Sequence, residues 1–198
     1  MFEKKAFFQK PSWVTFTLGL GIPLLLTACI QVDEDPYNQC PLPIKAEATG
    51  IKEVFFSPYR NKRYANTSDT VSISDFGFNF ELEVKKRQND NTEDTWQNAY
   101  PLTCEETFHI GNISNISVVL TGPFAGLPIG TDISYALITP DGKRISDLRN
   151  FENISVYFGS KLTLRPAPYS QLKTRIFVFF RNGDQAFMDS TSPYLKID

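Results

Sequence analysis

The chain has 198 residues, with 20 Lys and Arg against 22 Asp and Glu, a formal charge of −2 and 41% apolar residues. That length suffices for one domain with a sizeable core, and the slightly acidic balance, with Lys85-Lys86-Arg87 as its densest basic cluster, argues against nucleic acid as a partner. Three cysteines without a Cys-x-x-Cys pair, and His109 as the sole histidine, offer no zinc pattern, so neither a metal nor a cofactor is expected.

Residues 1–10 carry Lys4, Lys5 and Lys10 against Glu3, and Trp13 to Leu26 contains no charge, which is the order of a secretory signal. At 14 residues the apolar run falls short of the roughly 20 needed to cross a bilayer as a helix, and Gly19, Gly21 and Pro23 weaken a long helix further. Its last four residues, Leu26-Thr27-Ala28-Cys29, resemble the lipobox of bacterial lipoproteins. The resemblance implies that residues 1–28 are removed and that Cys29 becomes the lipidated first residue. Its thiol carries diacylglycerol and its amine often a third acyl chain, and two or more chains anchor stably to a membrane. An ordinary cleaved signal, with Cys29 merely near the cut, is the alternative.

Asp33, Glu34 and Asp35 follow a few positions later. This cluster resembles the surface-export signal of lipoproteins in Bacteroidota-type Gram-negative bacteria, and implies an outer-membrane lipoprotein exposed at the cell surface. The alternatives are a plain acidic tether on a protein facing the periplasm, or a calcium site, which three successive side chains cannot make without a loop built around them. The organisation expected is a signal peptide over 1–28, a lipidated tether over 29–43 and one domain over 44–198. Without residues 1–28 the chain loses three lysines and one glutamate, for a formal charge of about −4. With Cys29 lipidated, Cys40 and Cys104 remain as an even pair in an oxidising compartment. They predict a disulfide with 63 intervening residues, pinning Cys40-Pro41-Leu42-Pro43 to the body of the fold.

The rest of the chain reads as strand after strand, with no sustained 3.6-residue apolar repeat. Short strands are expected at Glu53–Phe56 and Asp69–Ser74. In Phe76–Lys85, Phe76, Phe78, Phe80, Leu82 and Val84 alternate with polar residues, which predicts one core face and one wet face. The polar stretch 87–98, with Trp96, reads as a long hairpin tip. Further strands are expected at Thr107–Ile110, Ile116–Leu120, Thr131–Ile138, Arg144–Leu148, Ile154–Phe158 and Lys161–Arg165, with a turn at Pro140-Asp141-Gly142-Lys143. Arg175–Phe180, apolar on both faces, should be a central strand covered on both sides. Asn182-Gly183-Asp184 then turns the chain into Gln185–Met188, and Tyr194–Ile197 closes the domain. The pattern predicts an all-β fold, an antiparallel β-sandwich. The closing stretch, from Leu162-Thr163-Leu164-Arg165-Pro166 through Arg175–Phe180 to Tyr194–Ile197, resembles immunoglobulin-like or fibronectin-type modules of secreted bacterial lipoproteins, without their Cys-Trp-Cys spacing.

Candidate contact residues are Tyr59, Arg60 and Tyr64, in a run where cationic and amide side chains stand between two tyrosines on an expected loop. Trp96 is a second candidate, as the anchor of a sugar or a protein partner, unless it folds back onto the sandwich edge. Catalytic signals do not converge. A Cys104–His109 dyad conflicts with the disulfide, and an i, i+5 offset puts the two on opposite strand faces. No HExxH, GxSxG or phosphate-binding glycine loop occurs, and Glu81 with Glu83 reads as solubilising charge. The expected role is non-enzymatic, a binding, scaffold or accessory module that touches envelope proteins or glycans. Its rivals are an envelope glycan hydrolase using an opposed carboxylate pair in a cleft, and a carbohydrate-binding module using Trp96 or two coplanar tyrosines.

Overall fold

The computed structural model describes residues 42–87 and 104–197. The expectations placed on Cys29, Asp33, Glu34, Asp35, Cys40 and Trp96 lie outside these described residues. In chain order the strands are β1 (Ile44–Arg60), β2 (Arg63–Ala65), β3 (Thr70–Ser72), β4 (Gly77–Lys86), β5 (Phe108–Ile110), β6 (Ile113–Leu120), β7 (Leu137–Ile138), β8 (Tyr157–Leu162), β9 (Ser170–Phe180) and β10 (Gln185–Lys196). They form two sheets in a sandwich-like, all-β arrangement. The first has the order β2-β1-β4-β8-β7, with β5 also on β1, and the second runs β3-β10-β9-β6.

β4 carries the clearest sequence signal and follows it. Phe78, Phe80 and Leu82 are buried against the second sheet, while Gly77, Asn79, Glu83 and Lys85 take the other face. Facing them across the core are Ile116, Val118, Leu172, Ile176, Val178 and Leu195. Aromatic packing ties the first sheet together: Phe56 stacks on Phe76 with centroids 5.8 Å apart, and Phe80 lies flat on Phe158 at 5.0 Å. No buried side-chain polar atom among the described residues lacks a partner.

Several expectations need correction. β1 is 17 residues long, not four, because two bulges interrupt its alternation, between Ala48 and Gly50 and between Ile51 and Glu53. Each bulge slips the period-2 pattern by one residue, and the buried phase at its start is made of Ala46, Ala48 and Gly50, which carry little hydrophobic signal. The segment 144–148 is a 3₁₀ turn at Ile145–Asp147, and the expected strand 131–138 is mostly irregular, with a second such turn at Ser134–Ala136. Pairing is also not uniformly antiparallel: β1 runs parallel to β5, and β10 parallel to β3.

β9 is central in its sheet, between β10 and β6, but only one of its faces is covered. Ile176 and Val178 are fully buried, whereas Arg175, Phe177 and Phe179 on the other face are half-buried. The expected Cys40–Cys104 disulfide is corrected to this extent: among the described residues no two cysteines are bridged, and Cys40 is not among them. Cys104 itself is disulfide-bonded. What visibly holds the start of the domain is backbone pairing, with Ile44, Lys45 and Ala46 opposite Phe108, His109 and Ile110, and the amide of Ile44 donating to the carbonyl of Thr107 at 2.9 Å.

Candidate functional site

The stretch 56–64, read as a loop from sequence, is a hairpin. β1 shifts register between Phe56 and Tyr59, then pairs Tyr59 with Tyr64 and Arg60 with Arg63. The two residues between, Asn61 and Lys62, both have positive φ (52° and 62°), as a two-residue hairpin with native twist requires. Asn adopts that conformation readily; Lys does not, which is why the turn carries no obvious signature.

Successive strand residues point to opposite faces, and this divides the predicted contact residues. Tyr59 and Tyr64 share one face: their rings meet edge to face at 4.9 Å, and Tyr64 rests on Phe55 at 4.4 Å. Phe55, Tyr64 and Tyr59 thus form a row on the outer surface of the first sheet, with Tyr59 59% and Tyr64 43% exposed. The two tyrosines are inclined by 67°, so they are not the coplanar pair expected of a flat sugar platform. Arg60 and Arg63 take the opposite face. Arg60 donates to Asp75 at 3.0 Å, and Arg63 grips Asp69 with two bonds of 2.5 and 2.9 Å. Arg63 and the backbone N–H of Asn66 together hold the Asp69 carboxyl down at about 2. The carbonyl of Asp69 in turn accepts the N–H of Tyr194, which ties the hairpin to the second sheet.

Behind that cationic face lies a cleft of about 390 Å³, bordered by Arg60, Arg63, Tyr64, Asp69, Asp75 and Lys196. Arg63 lies within the run read as a contact surface, whereas sequence reading missed Asp75 and Lys196 as part of this site. Lys196 in particular stands far along the chain from the hairpin and reaches the cleft only through the β3–β10 ladder, a relation no local pattern reveals. A larger cleft of about 880 Å³ lies between Ala48, Asn112 and the β9–β10 turn. Several of its polar groups are engaged: Asn112 bonds both the N–H and the carbonyl of Ala48, and Asn182 donates to Asp184.

The second bulge of β1 builds another cluster on the outer face of the first sheet. It brings Lys52 over Glu81, 2.9 Å from its carboxylate, and Glu81 also interacts with the hydroxyl of Tyr157 from β8. The carboxylate raises the pKa of Lys52, and its charge raises that of Tyr157. Glu81, expected to be exposed, is only 5% accessible as a result. Glu53 stands opposite Glu81 in register, yet neither borders either cleft, and the Glu81 carboxylate is already engaged. His109, on β5, lies 3.7 Å from Glu152, while Cys104 is disulfide-bonded and so supplies no thiol for a dyad. Among the described residues no group of three His, Cys, Asp or Glu side chains could hold a metal, and no helix is long and apolar enough to cross a membrane.

No protein-family model matches the chain, and no solved structure matches it. Among curated proteins it is similar to the proline–tRNA ligase of Nautilia profundicola, 38% identical over 56 residues. That stretch is 28% of this chain and 10% of the ligase. A match to a tenth of an enzyme says nothing of that enzyme's activity here.

Proposed function

We propose that the chain is a bacterial cell-envelope lipoprotein, anchored through Cys29, whose sandwich works by binding envelope proteins or glycans rather than by catalysis. The observation that carries the binding half is the pair Tyr59 and Tyr64. Two large aromatics stand in solvent on a hairpin that is itself fixed by Phe55 behind it and by the Arg60–Asp75 and Arg63–Asp69 pairs beneath it. Exposed, pre-positioned tyrosines supply large contact area at low ordering cost. The anchoring half rests on Leu26-Thr27-Ala28-Cys29, and the outward orientation on Asp33, Glu34 and Asp35. The sandwich is assigned to the immunoglobulin-like or fibronectin-type kind on the strength of its closing β9–β10 hairpin, with the two parallel ladders as departures from it.

Two measurements test this reading. Cys29→Ala should abolish incorporation of labelled palmitate into the mature protein; continued labelling would refute the anchor. The Tyr59→Ala/Tyr64→Ala double variant of the mature chain, made without its signal so that no lipid anchors it, should stay folded but lose the retention on isolated cell-envelope fractions that the unlipidated native chain shows, and unchanged retention would refute the binding role of this face.

A further inference from the structure

The cleft behind the hairpin has a charge pattern that its own residues do not balance. Arg60, Arg63 and Lys196 border it against two carboxylates, Asp69 and Asp75. One pair is closed: Arg63 holds Asp69 with two bonds, and Asp69 also accepts the N–H of Asn66. The other is open: Arg60 gives Asp75 one bond, and the two side chains are 70% and 50% exposed, so the pair is weak and solvent-screened. Lys196 forms no ion pair with the described residues. The cleft therefore presents a lysine and the remaining donors of Arg60 as surplus positive charge. Its volume of about 390 Å³ far exceeds an inorganic anion and falls at the lower end of small-molecule sites. Pro58 provides an apolar wall, and Thr70 and Asp75 provide hydroxyl and carboxylate partners for a polyol.

From this combination we infer that the cleft binds a single sugar unit bearing one anionic group, a carboxylate or a phosphate. Lys196 and Arg60 take the anion, Thr70 and Asp75 take ring hydroxyls, and Pro58 meets the apolar edge of the ring. The inference deepens the binding reading above and rests on it, while the anion and the ring are held by Lys196, Arg60, Thr70, Asp75 and Pro58 and not by Tyr59 or Tyr64.

The test is titration calorimetry of the mature chain with glucuronate, glucose 6-phosphate, glucose and inorganic phosphate. Both anionic sugars should bind. Their affinity should fall about tenfold or more in Lys196→Gln and in Arg60→Gln, both exposed substitutions, and several-fold as screening rises with added salt. Three results would overturn the inference: no binding of either anionic sugar, unchanged affinity in Lys196→Gln, or glucose or inorganic phosphate binding as tightly as glucose 6-phosphate. If the tyrosine double variant loses envelope retention while no anionic sugar binds the native chain, this inference falls and the tyrosine face stands. If the sugars bind as expected and the tyrosine variant is retained normally, the reverse holds.

Discussion

The β1–β2 and β9–β10 hairpins solve the same geometric problem in opposite ways. The β9–β10 hairpin is self-contained. Gly183 takes positive φ (93°), Asn182 and Asp184 bond one another across the turn, Arg175 grips Asp189 with bonds of 2.7 and 2.8 Å, and Phe177 meets Phe187 in register. The turn of the β1–β2 hairpin has no glycine, and its ionic partners come from outside it: Asp69 and Asp75 from beyond its second strand, and the cleft wall from Lys196. A hairpin that satisfies itself has little left to offer a ligand. One whose charges are held by segments outside it keeps a cleft and an exposed aromatic face, and that is where the binding residues are placed.

Both hairpins stand on one core, and the largest expected effect tests that. Phe78 is fully buried between the sheets, so Phe78→Ala should cost about 3–5 kcal/mol. Denaturant unfolding followed by tyrosine fluorescence and by far-UV circular dichroism should shift together in a single transition. Two separate transitions would mean that the hairpins belong to independent units.

The turns should respond to mutation with opposite signs. A Cβ on Gly183 meets nothing within 4 Å, so Gly183→Ala acts through its backbone conformation alone and should destabilise by roughly 1–2 kcal/mol. Lys62→Gly relieves a left-handed lysine and should stabilise by up to about 1 kcal/mol. Chemical denaturation midpoints measure both, and a stabilising Gly183→Ala or a strongly destabilising Lys62→Gly would undo the contrast.

The same contrast explains what was legible in sequence. Asn182-Gly183-Asp184 between two apolar runs announces its hairpin because its turn residues and its strand alternation lie within a dozen positions of one another. β4 announces itself by strict alternation of large residues. β1 does not, since two bulges shift its phase and small Ala46, Ala48 and Gly50 occupy its early core positions. At the site, Tyr59, Arg60 and Tyr64 were identifiable as exposed candidates, but as one surface; only the register of the hairpin separates the tyrosines from the arginines. Lys196 and Asp75 became site residues through sheet topology, and the burial of Glu81 through a bulge, neither of which local patterning encodes.

Acid should weaken both hairpins' ionic ties, by small amounts because both pairs are partly open to solvent. Asp69 is held at about 2 by Arg63 and the Asn66 N–H, and Asp189 is lowered by Arg175. A carboxylate whose folded pKa is depressed contributes stability in full above its unfolded value near 3.8 and loses it as the pH falls toward the folded value. Melting temperature should therefore drop between about pH 4 and pH 2, and the drop should shrink in Asp69→Asn. An identical acid profile in that variant would show that the Arg63–Asp69 tie does not stabilise the β1–β2 hairpin.

The central claim is that binding belongs to the β1–β2 hairpin and not to its self-contained counterpart, although both expose aromatic rings: Tyr59 and Tyr64 on one, Phe187 on the other. The direct measurement is retention on isolated cell-envelope fractions of the mature chain made without its lipid, as the native sequence, as Tyr59→Ala/Tyr64→Ala and as Phe187→Ala, compared side by side at equal folded concentration. Retention should be lost in the tyrosine variant and kept in Phe187→Ala. Equal retention of all three, or loss only in Phe187→Ala, would contradict the claim.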